Sequence, residues 1–283
     1  MPIDSIVTNI GAMVALQNLN QTASALQMTQ AQISTGLRVS SATDDGAAFA
    51  VAQRVRSDVG ALTAANQQLG GVQGLLSTTI SGLTNVSNEL NSMRQVLVSL
   101  ANGNTSGSQR TQYIAQYKSD LANVKSYFQD ASYNGKTLIG DITGSSGTIA
   151  KVAVVRNEVG STYGIATFGG SAFLASITFT STQMASSTTM QGVISATGVF
   201  MTKTNTIGSQ LNYYGAANTF INNQITYNSN KINSLNSGMG SLIDADMAQE
   251  SAQLQALQIR QQLGTQALSI ANQAPQSLLS LFK

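Results

Sequence analysis

The chain contains two prolines, Pro2 and Pro275, and nothing between them forbids the backbone from winding into long, uninterrupted helices. Apolar residues in that stretch recur at steps of three and four. Ala12, Leu16, Leu19, Ala23, Leu26, Ile33 and Leu37 form one such series, with polar Gln30 in register. The alternation is that of a coiled-coil seam. Gly36 and then Ser40-Ser41-Ala42-Thr43-Asp44-Asp45-Gly46 interrupt it. The hydroxyls and carboxylates of that segment can cap a new helix beginning near Gly46, and Asp44 and Asp45 are read as such caps.

A second helix is predicted over about 46–101, clearest at Leu83, Val86, Leu90, Met93, Leu97 and Leu100, and stopped by the turn formers from Asn102 to Gly107. A third, about 108–130, carries Ile114, Tyr117, Leu121, Val124 and Phe128 at helical spacing. Near the other end, Ile207, Leu211, Tyr214, Asn218, Ile221, Ile225, Asn228, Ile232, Leu235 and Met239 continue the three-four rhythm. Gly238 and Gly240 are expected to break that helix. Ser241-Leu242-Ile243-Asp244 has capping-box spacing for a last helix, expected to reach about Asn272, short of Pro275.

Between these helical halves the composition shifts. Asn134-Gly135 is a hairpin-turn signal, and the runs Ile149 to Val155, Tyr163 to Phe168 and Ser176 to Thr180 read as strands, the last from the alternation of Ile177 and Phe179. The fold class is therefore mainly α, with a small β-rich excursion over about 134–182. At 1.5 Å per residue, helices of the predicted lengths reach roughly 45–75 Å, so the helical part is elongated.

Among 283 residues there is no His, no Cys and no Trp. That excludes Ser-His-Asp and Cys-His catalysis, thiol redox chemistry and zinc sites of the usual ligand set. Charged residues make up 9% of the chain and the net charge is +2, with no long basic run, so a nucleic-acid footprint is not expected. The opening Met-Pro-Ile-Asp-Ser-Ile lacks the basic and apolar regions of a Sec-type signal, and no stretch of about 20 apolar residues suits a membrane span.

The residue groups that carry chemistry elsewhere have plainer readings here. Gly135-Lys136-Thr137 echoes the end of a phosphate-binding loop, but Asp130 stands where that loop needs a glycine, so a hairpin turn is the better reading. Asp244, Asp246 and Glu250 lie in the first turns of a predicted helix, where carboxylates meet the positive dipole end, and are read as capping rather than acid–base groups. No catalytic, cofactor or metal site is assigned. The terminal segments 1–40 and 242–283 are apolar on one face and almost uncharged. Isolated helices are marginal in water, and a contiguous exposed apolar face marks an interaction site, so assembly with other copies is the natural solution.

At this point the residues resemble a family. Ile33-Ser34-Thr35-Gly36-Leu37-Arg38-Val39-Ser40-Ser41-Ala42-Thr43-Asp44-Asp45-Gly46-Ala47-Ala48 is similar to the LSSGLRINSAxDDAAG signature of bacterial flagellin. Ile243-Asp244-Ala245-Asp246-Met247-Ala248-Gln249-Glu250 resembles its IEDADxAxE motif. Gln261-Gln262-Leu263-Gly264-Thr265, Ala271-Asn272-Gln273 and Leu279-Ser280-Leu281 resemble its terminal QQxGT…ANQ…LSL pattern. The likeness covers about 1–140 and 190–283 and indicates a short form without a large outer domain.

The resemblance implies an antiparallel coiled-coil bundle built from both termini, with β-hairpins from the middle of the chain. It implies that 1–44 and 242–283 pair as the inner layer of a filament and that 45–241 form the outer layer. Leu16, Leu19, Leu26, Ile33, Leu37, Leu254, Leu257, Leu268, Leu278 and Leu281 are then the candidate subunit-packing residues. Implied partners are many copies of the chain, an export chaperone at the C-terminal helices, and filament cap and hook-junction proteins. Implied location is outside the cell, after type III export. Ser92, Arg94 and Gln95 sit where many flagellins carry LQRMREL, the segment recognised by Toll-like receptor 5, and two charges of that segment are missing, so weak recognition is expected. The rival readings are a hook–filament junction protein with the same terminal helices, and a helical bundle binding a lipid or peptide. A metallopeptidase insert needs an H-E-x-x-H helix, which a chain without His cannot supply.

Overall fold

The computed structural model describes residues 8–140 and 151–281, and side-chain surroundings within 8–140 and 151–273. The described elements run α1 (Ile10–Thr35), α2 (Gly46–Ala101), α3 (Gly107–Asp130), β1 (Ser132–Tyr133), β2 (Lys136–Thr137), β3 (Lys151–Val155), β4 (Thr162–Ala166), α4 (Gly170–Ile177), α5 (Ser181–Ala185), α6 (Ser187–Ile194), α7 (Val199–Ile243) and α8 (Met247–Leu281). No described helix is long and apolar enough to cross a membrane.

The helix ends follow from local chemistry. Asn9 Oδ1 accepts the Ala12 N–H at 3.0 Å to open α1, and Gly36, at φ 71°, closes it. Asp45 Oδ1 accepts the N–H groups of Ala47 and Ala48 at 3.0 Å and so caps α2. Asp44 does not share that role. Its Oδ2 accepts the Ser40 N–H at 3.0 Å, the Ser41 N–H at 2.9 Å and the Ser40 hydroxyl at 3.0 Å, tying the loop to itself. These bonds hold its carboxyl below the usual range. Ser106 and Gln109 form a capping box at α3.

The chain divides into two compact units, 59–232 and the pairing of 1–58 with 233–283. In the first, α2 contributes Leu62, Leu69, Leu76, Leu83, Leu90 and Leu97, one every seven residues and all fully buried. Its partner α7 contributes Phe200, Ile207, Tyr214, Ile221 and Asn228 on the same period, again fully buried. Helix α3 adds Tyr117, Val124 and Phe128, and the Phe128 ring meets Phe168 and Phe173 edge-on. The two hairpins are antiparallel, β1 with β2 across Asn134-Gly135 and β3 with β4 from Lys151–Ala166 to Val155–Thr162. Both turn residues have positive φ, 49° and 71°, as a tight two-residue hairpin turn requires. Gly135-Lys136-Thr137 is accordingly part of a hairpin. The Tyr214 hydroxyl donates toward Leu138 O at 3.2 Å and Ala166 O at 3.1 Å, fastening both hairpin regions to α7.

Four further readings are corrected. Ser176–Thr180 is not a strand: Phe173 and Ile177, one helical turn apart on α4, enter the core together, and the Tyr117 hydroxyl donates to Ile177 O at 2.7 Å. Thr180 then caps α5, so its hydroxyl serves a helix start rather than a sheet edge. Helix α7 continues through Gly238 and Gly240 to Ile243, and the break falls at Asp244–Asp246. A glycine weakens a helix by only about 1 kcal/mol. A Cβ at 240 would stand 2.6 Å from Asp244 Oδ2, so the missing side chain makes room for that carboxylate. Ser241 forms no capping box; its hydroxyl donates back to Gly238 O at 2.8 Å. Finally, α8 does not stop near Asn272 but continues past Pro275 to Leu281. Part of the Ile149–Val155 run, residues 149 and 150, lies outside the described residues; Lys151–Val155 and Thr162–Ala166 are strands.

Candidate assembly surface

In the unit formed by 1–58 and 233–283, α1 and α8 pack antiparallel. Gly11 faces Ala271, Leu19 faces Gly264, and the Ala245 N–H donates to Gly36 O at 3.0 Å. Beyond Gly36 the chain crosses against the α7–α8 connection, with Leu37 bridged to Asp244. Ile243 O accepts the N–H groups of Arg38 at 2.7 Å and Val39 at 3.2 Å, and the Arg38 guanidinium reaches Leu242 O at 2.6 Å. Four carbonyls at a helix end lack intrahelical donors; here a strand-like segment and one arginine supply donors to the last two, Leu242 O and Ile243 O. Val39, Ala52 and Ile243 form a small core beneath, with Leu37, Phe49 and Met239 against it. Asp246 Oδ1 accepts the N–H groups of Ala248 at 2.9 Å and Gln249 at 3.2 Å, so it caps α8 as its position suggested.

The candidate packing residues divide by depth. Leu257 is buried, while Leu19, Leu26, Ile33, Leu37, Leu254 and Leu268 are half-buried. Leu16 is 48% exposed and lines a shallow groove on α1 with Met13, Gln17, Asn20, Gln21 and Ser24. The side chains of Leu278 and Leu281 lie outside the described residues.

A second apolar stripe lies outside that seam and outside the candidate packing residues. Ile10, Met13, Val14 and Met28 on α1, and Ile259, Leu263 and Ile270 on α8, are each more than half exposed. Ile10 to Val14 and Ile259 to Leu263 are four-residue steps that lie off the seam, a signal present in the sequence. No charged residue occurs in α1, and α8 carries only Glu250 and Arg260. Such a surface can bury large apolar area against a partner with almost no charge to desolvate.

Ser92, Arg94 and Gln95 are exposed on α2, on either side of buried Met93. Among the described residues no group of three or more His, Cys, Asp or Glu side chains is placed to hold a metal ion. Two of the groups that burial perturbs serve the fold: the Tyr117 and Tyr214 hydroxyls are pushed far up while donating to backbone carbonyls.

The bacterial flagellin N-terminal helical region matches residues 6–143, and the bacterial flagellin C-terminal helical region matches 194–282. Flagellin FljM of Caulobacter vibrioides is 35% identical over 287 residues, with 100% of each chain covered. A flagellin of Brucella melitensis is 33% identical over 295 residues, with 99% of each covered. A solved structure of a flagellar hook-associated protein from Vibrio parahaemolyticus shares the fold, with a TM-score of 0.60 at 16% identity over 71% of this chain and 100% of that one. Helical regions matched at both ends, relatives of full length and the paired terminal helices agree: the chain belongs to the bacterial flagellin family, the structural subunits of the flagellar filament.

Proposed function

We propose that α1 and α8, within 1–44 and 242–283, line the inside of the filament, and that 45–241, with the β-rich excursion, form the layer around them. One observation carries this reading. The α1–α8 pair leaves Ile10, Met13, Ile259, Leu263 and Ile270 more than half exposed on helices nearly free of charge. A lone subunit in water is penalised for that surface, and a second copy relieves the penalty. The seam residues Leu19, Leu26, Ile33, Leu254, Leu257 and Leu268 hold the two helices together, Leu37 anchors the crossing at Ile243, and Leu16 with the outer stripe meets neighbouring copies.

On this reading the chain works by packing and no residue performs catalysis. It leaves the cell through the flagellar export apparatus, with a chaperone covering the C-terminal helix until assembly. At the growing tip it meets cap and hook-junction proteins. The exposed trio Ser92, Arg94 and Gln95 contributes a single charge where an innate receptor would seek several, so recognition is weak.

Electron microscopy of the purified protein after addition of short filament seeds tests the proposal. Long filaments of uniform width support it. Monomers or short caps alone would favour the hook–filament junction protein, a reading to which the shared fold of the Vibrio parahaemolyticus structure lends support.

A further inference from the structure

Helix α8 runs through Pro275, whose ring nitrogen has no hydrogen to give the carbonyl four residues earlier, that of Ala271. In an isolated helix that carbonyl loses its donor. Here Asn9 Nδ2 donates to Ala271 O at 2.7 Å. The same side chain accepts the Ala12 N–H through Oδ1 at 3.0 Å, so the partners on both sides fix which end of the amide points where. Gly11 faces the residue of that same carbonyl: a Cβ there would stand 4.0 Å from the Ala271 Cβ and 3.4 Å from Asn9 Oδ1, ordinary contact distances that place α1 against α8 at this turn.

We propose that Asn9 is a latch between the two ends of the chain. It starts α1 and, in the same geometry, replaces the hydrogen bond that Pro275 removes from α8. The proline makes α8 weakest at that turn, since an interior proline removes a backbone hydrogen bond and its ring crowds the preceding turn. Helix beyond Ala271 therefore persists only while α1 is docked in register, with Asn9 opposite Ala271. Slippage by one residue in either helix carries the amide away from the carbonyl. The two ends of the subunit thus order together, and in one register. The latch is a property of the α1–α8 pair, and its role in assembly rests on the filament reading above.

A double-mutant cycle on the full-length protein tests it. Asn9→Asp keeps an oxygen to cap α1 but replaces the donor by an acceptor. Pro275→Ala restores the backbone N–H to Ala271. Hydrogen exchange of peptides spanning 266–281 is measured by mass spectrometry in seeded filaments. Asn9→Asp is expected to speed exchange about fivefold, the effect of one lost hydrogen bond, and to have little effect once Pro275→Ala is present. Equal acceleration with and without Pro275→Ala, or no acceleration at all, would overturn the latch. Should the wild-type chain fail to form filaments, the assembly reading falls instead, and the same cycle is read in the monomer. Wild-type amides over 266–281 that are unprotected in both states would also overturn it.

Discussion

Leu19 lies directly over Gly264: a Cβ built at 264 would stand 3.2 Å from the Leu19 Cδ1 and 3.9 Å from its Cβ. That contact sets how near α1 and α8 approach. Because the nearer atom is the end of a flexible side chain, Gly264→Ala is expected to be tolerated. Gly264→Leu is too large for the gap and forces the helices apart, at about 1–3 kcal/mol. The concentration needed for seeded filament growth should rise tenfold or more, with the melting of unit 59–232 unchanged by circular dichroism. Unaltered growth of the leucine variant would refute the close packing.

Gly82 on α2 meets the start of the hairpin region more tightly. A Cβ there would fall 2.8 Å from the Ala131 Cβ and 3.3 Å from Tyr127 O, and a backbone atom gives way less readily than a side-chain end. Gly82→Ala should therefore destabilise the protein by about 1–3 kcal/mol, although alanine is the better helix former. Urea denaturation checks this; a more stable variant would mean that propensity outweighs the clash.

Asn228 occupies a heptad position otherwise held by Phe200, Ile207, Tyr214 and Ile221, and it is fully buried. Its Nδ2 donates to Asn66 Oδ1 at 2.8 Å and Arg156 O at 2.9 Å, while its Oδ1 accepts from Gln224 at 2.9 Å. Asn228→Ala strands those groups and is expected to cost about 1–3 kcal/mol. A buried polar residue in an apolar seam also fixes register. Asn228→Leu should thus keep helix content but broaden the thermal transition, as seen by circular dichroism.

Asp120 carries a different dependence. It is 3% exposed, its Oδ1 accepts from Gln116 at 2.7 Å and its Oδ2 has no partner. Burial raises its pKa above the ordinary 3.8, and the charge of Glu89 adds to the rise, against the Gln116 bond. The folded state then favours the protonated form. Its ionisation costs stability above the folded pKa, and that cost disappears as pH falls toward the unfolded value. Asp120→Asn should raise the melting temperature at pH 7 by about 2–4 °C and lose its advantage near pH 4. A pH-independent difference would contradict this account.

The exposed trio on α2 gives a gain-of-function test. Ser92→Arg combined with Gln95→Glu restores two charges on either side of Arg94 without touching buried Met93. A Toll-like receptor 5 reporter response at least about tenfold above that of the parent chain is expected. An equal response from both would show that these positions do not decide recognition.

The long helices were legible because each carries its own evidence. The three-four rhythm from Ala12 to Ile33 lies in α1, Gly36 closes it at a positive φ that few other residues adopt at low cost, and Leu37, the last of that series, falls beyond the helix in the bridge to Asp244. The seam from Leu83 to Leu100 is buried as its spacing predicts, and leucines at 62, 69 and 76 carry the same period back along α2. Ser176–Thr180 misled because alternation over five residues fits strand and helix alike. Only the position of the Phe128 ring and the Tyr117 hydroxyl made Phe173 and Ile177 a helical pair.

The division has a physical cause. Periodicity, caps and turn residues act within one or two turns of chain, so the amino-acid order by itself determined where the long helices lie, that Asp45 and Asp246 start two of them, and that Asn134-Gly135 turns. It also determined family membership through motifs at both ends. What crosses the chain was left to the tertiary structure. Gly238 and Gly240 did not end α7, because Arg38 and Val39, some 200 residues away by sequence, take up the carbonyls at its true end. Pro275 did not end α8, because Asn9 stands opposite Ala271. A proline or a helix end leaves a backbone carbonyl without a donor, and only the folded chain decides whether another segment provides one.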